Sequence, residues 1–374
     1  MNRLIAAAFT AVNALIPKSK KQVVFCSFPD YGDNARAVYE EMVRQGMGET
    51  RILTWLVKDV TLPGLPAGAL RQHSFKGIWR FMRAGYVFHT HGLFHNRPGP
   101  GQRVISLWHG MPLKTIMKLD ATHPANERFR FTYTVATSPL YRRIMAAAFD
   151  CKEEQCLVTG QPRCDLLFRP EDPLAAMGIR RSDYAKVFLW MPTYRKSVTG
   201  DLRTDGNGGT ELGVAFLTEE QLIALNGRLA ALNCLMLIKL HPMQVPVRAE
   251  ETDLSHIRIL RQAPGQLYSL VGQADALLTD CSSVYIDYLL LDRPMAFVFD
   301  DMDQYGENRG FVFPDPARYM PGPFIGDAGA LTAFIEDTAA GRDGYADARR
   351  QVREQFHTYC DGESAKRLIE EVFS

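Results

Sequence analysis

Two histidines stand where a parallel α/β protein does its chemistry, just past the end of an apolar strand. His109 follows RVISLW (103–108) and opens the turn His109-Gly110-Met111-Pro112-Leu113-Lys114. Glycine and proline tighten such a turn and leave little bulk beside the imidazole, so a substrate can come close to it. A neutral imidazole can take a proton from a hydroxyl near pH 7. The plainer role is a histidine that only satisfies its own loop. His241, followed by Pro242, holds the same place after CLMLIKL (234–240). Ligands of open parallel sheets bind beyond the carboxyl ends of the strands, so the two imidazoles are expected to face one cleft.

Three further strand ends carry polar groups. ALLTD (276–280) runs into Cys281-Ser282-Ser283 and then an apolar helix. Serines there cap the free N–H groups, and the same N–H groups attract phosphate, so both roles are compatible. Asp287, one turn into that helix, could accept from a ribose or polyol hydroxyl, or be an exposed helical carboxylate. VFLWM (187–191) leads to Pro192-Thr193-Tyr194-Arg195-Lys196, which adds donors and positive charge. HTHGLFH places His89, His91 and His95 together. Histidines two apart share a face, as zinc ligands can, but no carboxylate or cysteine partner is evident, so His91 reads as acceptor-side and no metal is expected.

These residues need elements to hold them, and the chain supplies strands alternating with helices throughout. Strand-like runs occur at 22–28, 51–57, 86–90, 103–108, 133–137 and 156–160, then at 187–192, 234–240, 257–260, 276–280 and 295–300. Helical runs at 34–44, 139–149, 218–232, 265–272 and 283–291 separate several of them, and 328–373 reads as helices. The pattern predicts α/β architecture with two Rossmann-like domains, an interdomain cleft and C-terminal helices. The domains are placed at 22–168 and 187–327, with a proline- and charge-rich crossover between them and the tail at 328–374. The polar, glycine-rich stretch 197–213 is expected as a loop at the cleft rim.

Composition narrows the function. With 43 basic and 42 acidic residues no global field marks a nucleic-acid binder. Seven scattered cysteines without a CxxC pair fit a reducing cytoplasm. No run approaches the ~20 apolar residues of a spanning helix. Residues 1–21 combine an apolar run with Lys18, Lys20 and Lys21. They read as an amphipathic helix on a membrane surface, with an ordinary packing helix as the alternative. No P-loop, GxSxG elbow or early GxGxxG is present.

The ordered series FCSFPDYGDNARAVYEEM (25–42), WHGMPLK (108–114), GQPRCD (160–165), PTYR (192–195), KLHP (239–242) and TDCSSVYIDYLLLDRP (279–294) resembles the CDP-glycerol:poly(glycerophosphate) glycerophosphotransferase family. The resemblance covers about residues 22–310. It implies the two-domain glycosyltransferase-B fold, with the acceptor bound by the first domain and a CDP-linked donor by the second. His109 would be the base for the acceptor hydroxyl, and His241 would meet the pyrophosphate. Thr193, Arg195, Lys239, Ser282 and Ser283 would hold phosphate, and Asp287 a donor hydroxyl. Asp33, Asn34, Gly110, Lys114 and His91 fall on the acceptor side. No cofactor is implied beyond CDP-glycerol or CDP-ribitol as substrate. The partners would be a lipid-linked glycan and the cytoplasmic face of the bacterial membrane, and not nucleic acid. Met111 stands where the family often has Thr or Ser, and Cys281 where it often has Tyr. A nucleotide-sugar glycosyltransferase or epimerase of the same fold is the rival reading.

Overall fold

The structure is a computed structural model and describes residues 3–94, 97–121, 130–169, 171–192, 216–240, 254–263, 265–298, 302–308 and 310–374. The chain divides into two compact units, each built on a parallel sheet. The first comprises Met1–Met111, Ala121–Phe168 and His357–Ser374, and the second Pro112–Asp120 and Arg169–Phe356.

In the first unit helix α1 (Arg3–Leu15) precedes β1 (Ser19–Cys26), α2 (Asp33–Arg44), β2 (Ile52–Val57), β3 (Leu70–Arg71), α3 (Phe75–Arg83) and β4 (Ala84–His89). Then come β5 (Arg103–Ser106), β6 (Tyr133–Ala136), α4 (Pro139–Phe149) and β7 (Cys156–Val158). The strands lie in the order β3-β2-β1-β4-β5-β6-β7, all paired parallel. Successive side chains on a strand point to opposite faces. Thus Val23, Phe25, Phe88 and Ile105 meet Ala35, Val38 and Met42 of α2 on one side. On the other side Val24, Leu56, Val87 and Val104 meet Phe81 and Met82 of α3.

The second unit has β8 (Lys186–Trp190), α5 (Glu219–Ala231), β9 (Cys234–Lys239), β10 (Ile257–Leu260), α6 (Leu267–Gln273), β11 (Ala276–Thr279), α7 (Val284–Tyr288) and β12 (Met295–Phe297). Helices α8 (Met302–Asn308), α9 (Ala328–Ala339) and α10 (Ala346–Phe356) follow. Its sheet runs β10-β9-β8-β11-β12, again parallel. Phe188, Trp190, Met236, Ile238 and Leu278 pack with Leu222, Leu225 and Leu229 of α5.

The C-terminal helices expected over 328–374 are shared between the units. Helices α9 and α10 belong to the second, whereas α11 (Ser364–Phe373) buries Leu368, Ile369 and Val372 in the α2 layer of the first. The Asp165 carboxylate accepts from the Ser364 and Ala365 amides at 2.8 and 2.9 Å, which places a negative charge on the free N–H groups of α11. At Gly160, with φ +87°, a Cβ would lie 2.4 Å from the Ser364 hydroxyl, so the helix docks there only against glycine.

In the N-terminal segment one of the three lysines turns inward. Lys18 does not reach toward a surface. Its ammonium donates to Asn13 Oδ1 at 2.8 Å and to the Met82 carbonyl at 2.6 Å, and burial lowers its pKa to about 8. Asn13 is fully buried and its amide donates to Gln102 Oε1, so α1 is fastened to the first unit.

Candidate active site

A sheet whose strand order reverses leaves a crevice at the reversal, where neighbouring connections run to opposite faces. In the first unit that point lies between β1 and β4. The segment 27–33 leaves the carboxyl end of β1, Thr90 and His91 leave β4, and His109 leaves the adjacent β5. Three motifs far apart in the chain therefore meet at one edge of one sheet.

The turn bearing His109 is held from behind. Trp108 has a left-handed φ of 52°, which costs a residue with a Cβ about 1–3 kcal/mol and persists only under constraint. The constraint is Asn34. Its Nδ2 donates to the Trp108 carbonyl at 3.1 Å, more weakly to that of Leu107 at 3.4 Å, and to Gln161 Oε1 at 2.6 Å. Its Oδ1 accepts from the Arg163 amide at 2.9 Å. Asn34 is fully buried, so it is not open to an acceptor as expected from the sequence. It binds the WHG turn, the DN helix start and the QPR segment into one block.

His109 projects from this block half-buried. Its ring lies 4.4 Å from that of His91 at an interplanar angle of 8°, and 4.0 Å from that of Trp108. Trp108 in turn packs edge-on against Phe149. On the open side His91 meets Phe28 edge-on, and its Nδ1 lies 2.8 Å from Thr90 Oγ1, which also accepts from the Phe28 amide. Burial lowers the His91 pKa, with Arg163 and Lys58 pushing the same way and Asp33 opposing them. Behind it His89 is buried and its Nδ1 accepts from the Gly92 amide at 2.9 Å. Burial, and then His91, lowers its pKa to about 4, so His89 stays neutral at physiological pH. A neutral imidazole at 91 stacks on His109 without opposing the charge that His109 gains on taking a proton.

Asp33 pairs with Arg163 at 3.0 Å, both side chains largely buried, at a left-handed φ of 55°. Gly110, with φ 125°, is buried. Lys114 falls in the second unit, where its backbone bridges to Phe311, and it is half-buried. Gln161, Arg163 and Asp165 had no assigned role at the level of sequence, although the GQPRCD motif that contains them was legible. Each bonds across 127 residues or more, and only the fold brings those partners together.

In the second unit the reversal lies between β8 and β11, and β11 leads into Ser282 and Ser283. Both serines are half-buried, and Ser283 makes no side-chain cap to α7, so capping does not occupy its hydroxyl. The Ser282 amide donates to Asp280 Oδ1 at 3.0 Å and is thus already used. Asp287 is fully buried and accepts from the Tyr268 hydroxyl, fastening α7 to α6, which corrects the expectation of a carboxylate free for a polyol. Lys239 is half-buried, donates to the Leu240 carbonyl at 2.6 Å, and has its pKa lowered by burial. His241, Thr193 and Arg195 lie outside the described residues. Among the described residues no His, Cys, Asp and Glu side chains cluster as a metal site.

The chain matches known proteins along its whole length. It is 26% identical to the teichoic acid ribitol-phosphate primase of Bacillus spizizenii over 99% of this chain and 95% of the relative. It is 27% identical to the teichoic acid glycerol-phosphate transferase of Staphylococcus aureus, over 95% and 93%. Its fold is similar to that of the wall teichoic acid polymerase TagF, with a TM-score of 0.76, 21% identity and coverage of 99% and 92%. A putative UDP-N-acetylglucosamine 2-epimerase from Listeria monocytogenes shares the fold less closely, with a TM-score of 0.53 and 12% identity over 95% and 96%. The family model for CDP-glycerol:poly(glycerophosphate) glycerophosphotransferase matches residues 8–374, and the chain belongs to that family.

Proposed function

We propose that the protein transfers glycerol phosphate, or a related polyol phosphate, from a CDP-linked donor to a hydroxyl of a lipid-linked glycan or polymer, releasing CMP. The observation that carries this reading is His109, held at the switch point against the neutral ring of His91. His109 removes the acceptor proton as the hydroxyl oxygen bonds to the β-phosphorus. The bond from that phosphorus to the bridging oxygen breaks, and CMP leaves with that oxygen. Cationic and hydroxyl groups of the second unit, with His241, Thr193, Arg195, Lys239, Ser282 and Ser283 as candidates, would meet the charge that develops on the diphosphate. The reading assigns no step to a cofactor. The curated relatives, named for glycerol-phosphate and ribitol-phosphate transfer, support the donor class.

A lipid-linked acceptor and a nucleotide-activated donor would support a reaction on the cytoplasmic face of the membrane. No helix among the described residues is long and apolar enough to cross a membrane. The test uses purified full chain, washed membranes of a deletion strain as acceptor, and CDP-glycerol, CDP-ribitol or UDP-N-acetylglucosamine as donor. CMP release and a polyol-phosphate mass increment are expected with a CDP-polyol. Turnover only with the UDP-sugar refutes the reading. His109→Asn is expected to lose ~100-fold or more in kcat, the ordinary worth of a general base.

A further inference from the structure

The proposed chemistry uses none of the cysteines, yet the fold brings two of them together behind the site. Helix α4 ends at Phe149, Asp150 takes a left-handed φ of 53°, and the Cys151 amide donates back to the Ala146 carbonyl at 3.0 Å. One short 3₁₀ turn follows, Glu153–Gln155, and Cys156 then opens β7. The two turns leave Cys151 Sγ 3.7 Å from Cys156 Sγ. Their spacing matches no CxxC pattern, so the pair is visible only in the fold. The thiols differ in setting: Cys156 is buried and Cys151 half-buried. The Cys156 S–H donates to the Cys151 sulfur, and this bond lowers the Cys151 pKa while it raises that of Cys156, which burial raises further.

A thiol drawn toward thiolate on the open side, with a second sulfur against it on the buried side, is the arrangement of a nucleophile and its resolving partner. As a permanent staple the pair would contribute little, because the loop between them is short and its closure removes little freedom from the unfolded chain. A bond there would instead be felt at the site. Phe149, two residues before Cys151, packs edge-on against Trp108 at 5.0 Å, and Trp108 lies 4.0 Å from the His109 ring. Cys156 is fixed in place, since it pairs with Thr134 in the sheet and its carbonyl accepts from Arg142 Nε at 3.1 Å. A disulfide needs about 2.05 Å between sulfurs, so closing the 3.7 Å gap falls on the turn that carries Cys151, and through it on Phe149.

We infer that Cys151 and Cys156 form a redox-sensitive pair, oxidised to a disulfide by hydrogen peroxide, and that the bond draws Phe149 away from Trp108 and so slows the reaction at His109. The Cys151 thiolate attacks one peroxide oxygen. Its sulfur–oxygen bond forms as the oxygen–oxygen bond breaks, giving a sulfenic acid and a hydroxide that takes a proton to become water. The Cys156 sulfur then bonds to the Cys151 sulfur, and the sulfenic oxygen leaves as a second water with the Cys156 proton. The two thiols lose two electrons, which one peroxide accepts, and a dithiol reverses the step by exchange. The slowing rests on the role proposed for His109, whereas the disulfide is read without substrate.

The reduced full chain is treated with hydrogen peroxide, alkylated and digested with trypsin, and a portion is kept intact for near-ultraviolet dichroism and turnover. Peptides 144–152 and 153–163 joined by one disulfide are expected, with a changed tryptophan band and a kcat lower by on the order of tenfold, all restored by dithiothreitol. Cys151→Ser is expected to keep the turnover of the reduced wild type and to lose the response to peroxide. Cys156→Ala should do the same, and serves if the first variant misfolds. Exposed Cys360 is the reference thiol. Recovery of Cys151 and Cys156 as free thiols under peroxide that oxidises Cys360 overturns the inference, as does slowing that persists in Cys151→Ser. A disulfide that forms while the tryptophan band and kcat stay unchanged overturns it too. A chain without transferase turnover would fail the functional reading, and the disulfide and the tryptophan band would still decide this one.

Discussion

Asn34→Ala tests whether the block behind His109, and not His109 alone, sets the rate. The substitution removes a fully buried amide and leaves three buried groups without their partner: the Trp108 carbonyl at 3.1 Å, Gln161 Oε1 at 2.6 Å and the Arg163 amide at 2.9 Å. At about 1–2 kcal/mol for each orphaned group, the first unit loses roughly 3–6 kcal/mol. Trp108 then has less to hold it at φ 52°, and the turn carrying His109 can relax toward ordinary backbone angles. A catalytic group displaced by about 1 Å commonly costs ~100-fold. The expectation is therefore a melting temperature lower by about 10 °C and a kcat lower by about 100-fold, with KM for the CDP-linked donor little changed. Asn34→Asp should be worse, because a carboxylate oxygen in place of Nδ2 faces acceptor oxygens at Trp108 and Gln161. Thermal melts, near-ultraviolet dichroism and steady-state CMP release measure the three quantities. A folded Asn34→Ala enzyme turning over within about threefold of wild type would show that the WHG turn holds its shape unaided.

The remaining predictions concern the rings beside His109 and the latch behind it. His91→Phe keeps a ring face against His109 and should stay within about threefold in kcat, whereas His91→Ala should lose about tenfold, the worth of one stacked pair; equal loss in both would point to hydrogen bonding in place of stacking. His89 is neutral in the native state down to about pH 4, while an unfolded histidine takes up a proton near pH 6.5. The unfolded chain therefore binds more protons between those values. Urea-unfolding stability should fall by roughly 3 kcal/mol as pH drops through that window, and His89→Gln should flatten that part of the curve. Asp165→Asn keeps the shape of the acceptor but removes its charge from the start of α11, and should cost about 1–2 kcal/mol, read as earlier proteolysis of the C-terminal helix. Because the proposed chemistry uses protein groups alone, dialysis against EDTA should leave turnover unchanged, and its restoration by a divalent ion would revise the phosphate chemistry.

What the sequence disclosed and what it withheld follow from how far each interaction reaches along the chain. Parallel strands buried on both faces are short apolar runs such as VVFC and LMLI, and the eleven runs identified all became strands. Only β3, two residues long with Leu70 partly buried, gave no apolar run to detect. His109 was legible as a candidate for the same local reason, as a histidine between a strand and a glycine–proline turn. Asn34 and Asp287 are different. Each is a polar residue at a helix start in a recognisable motif, which is also what a ligand contact looks like. Only their burial separates the roles, and burial depends on Gln161 and Arg163 for one and Tyr268 for the other. The lysines near the N-terminus show the converse. Their charge suggested a surface, yet Lys18 turns inward to Asn13 and Met82. A motif thus identifies residues that matter, whereas the contact that makes a residue a scaffold, a reagent or a docking point is supplied by partners the motif does not contain.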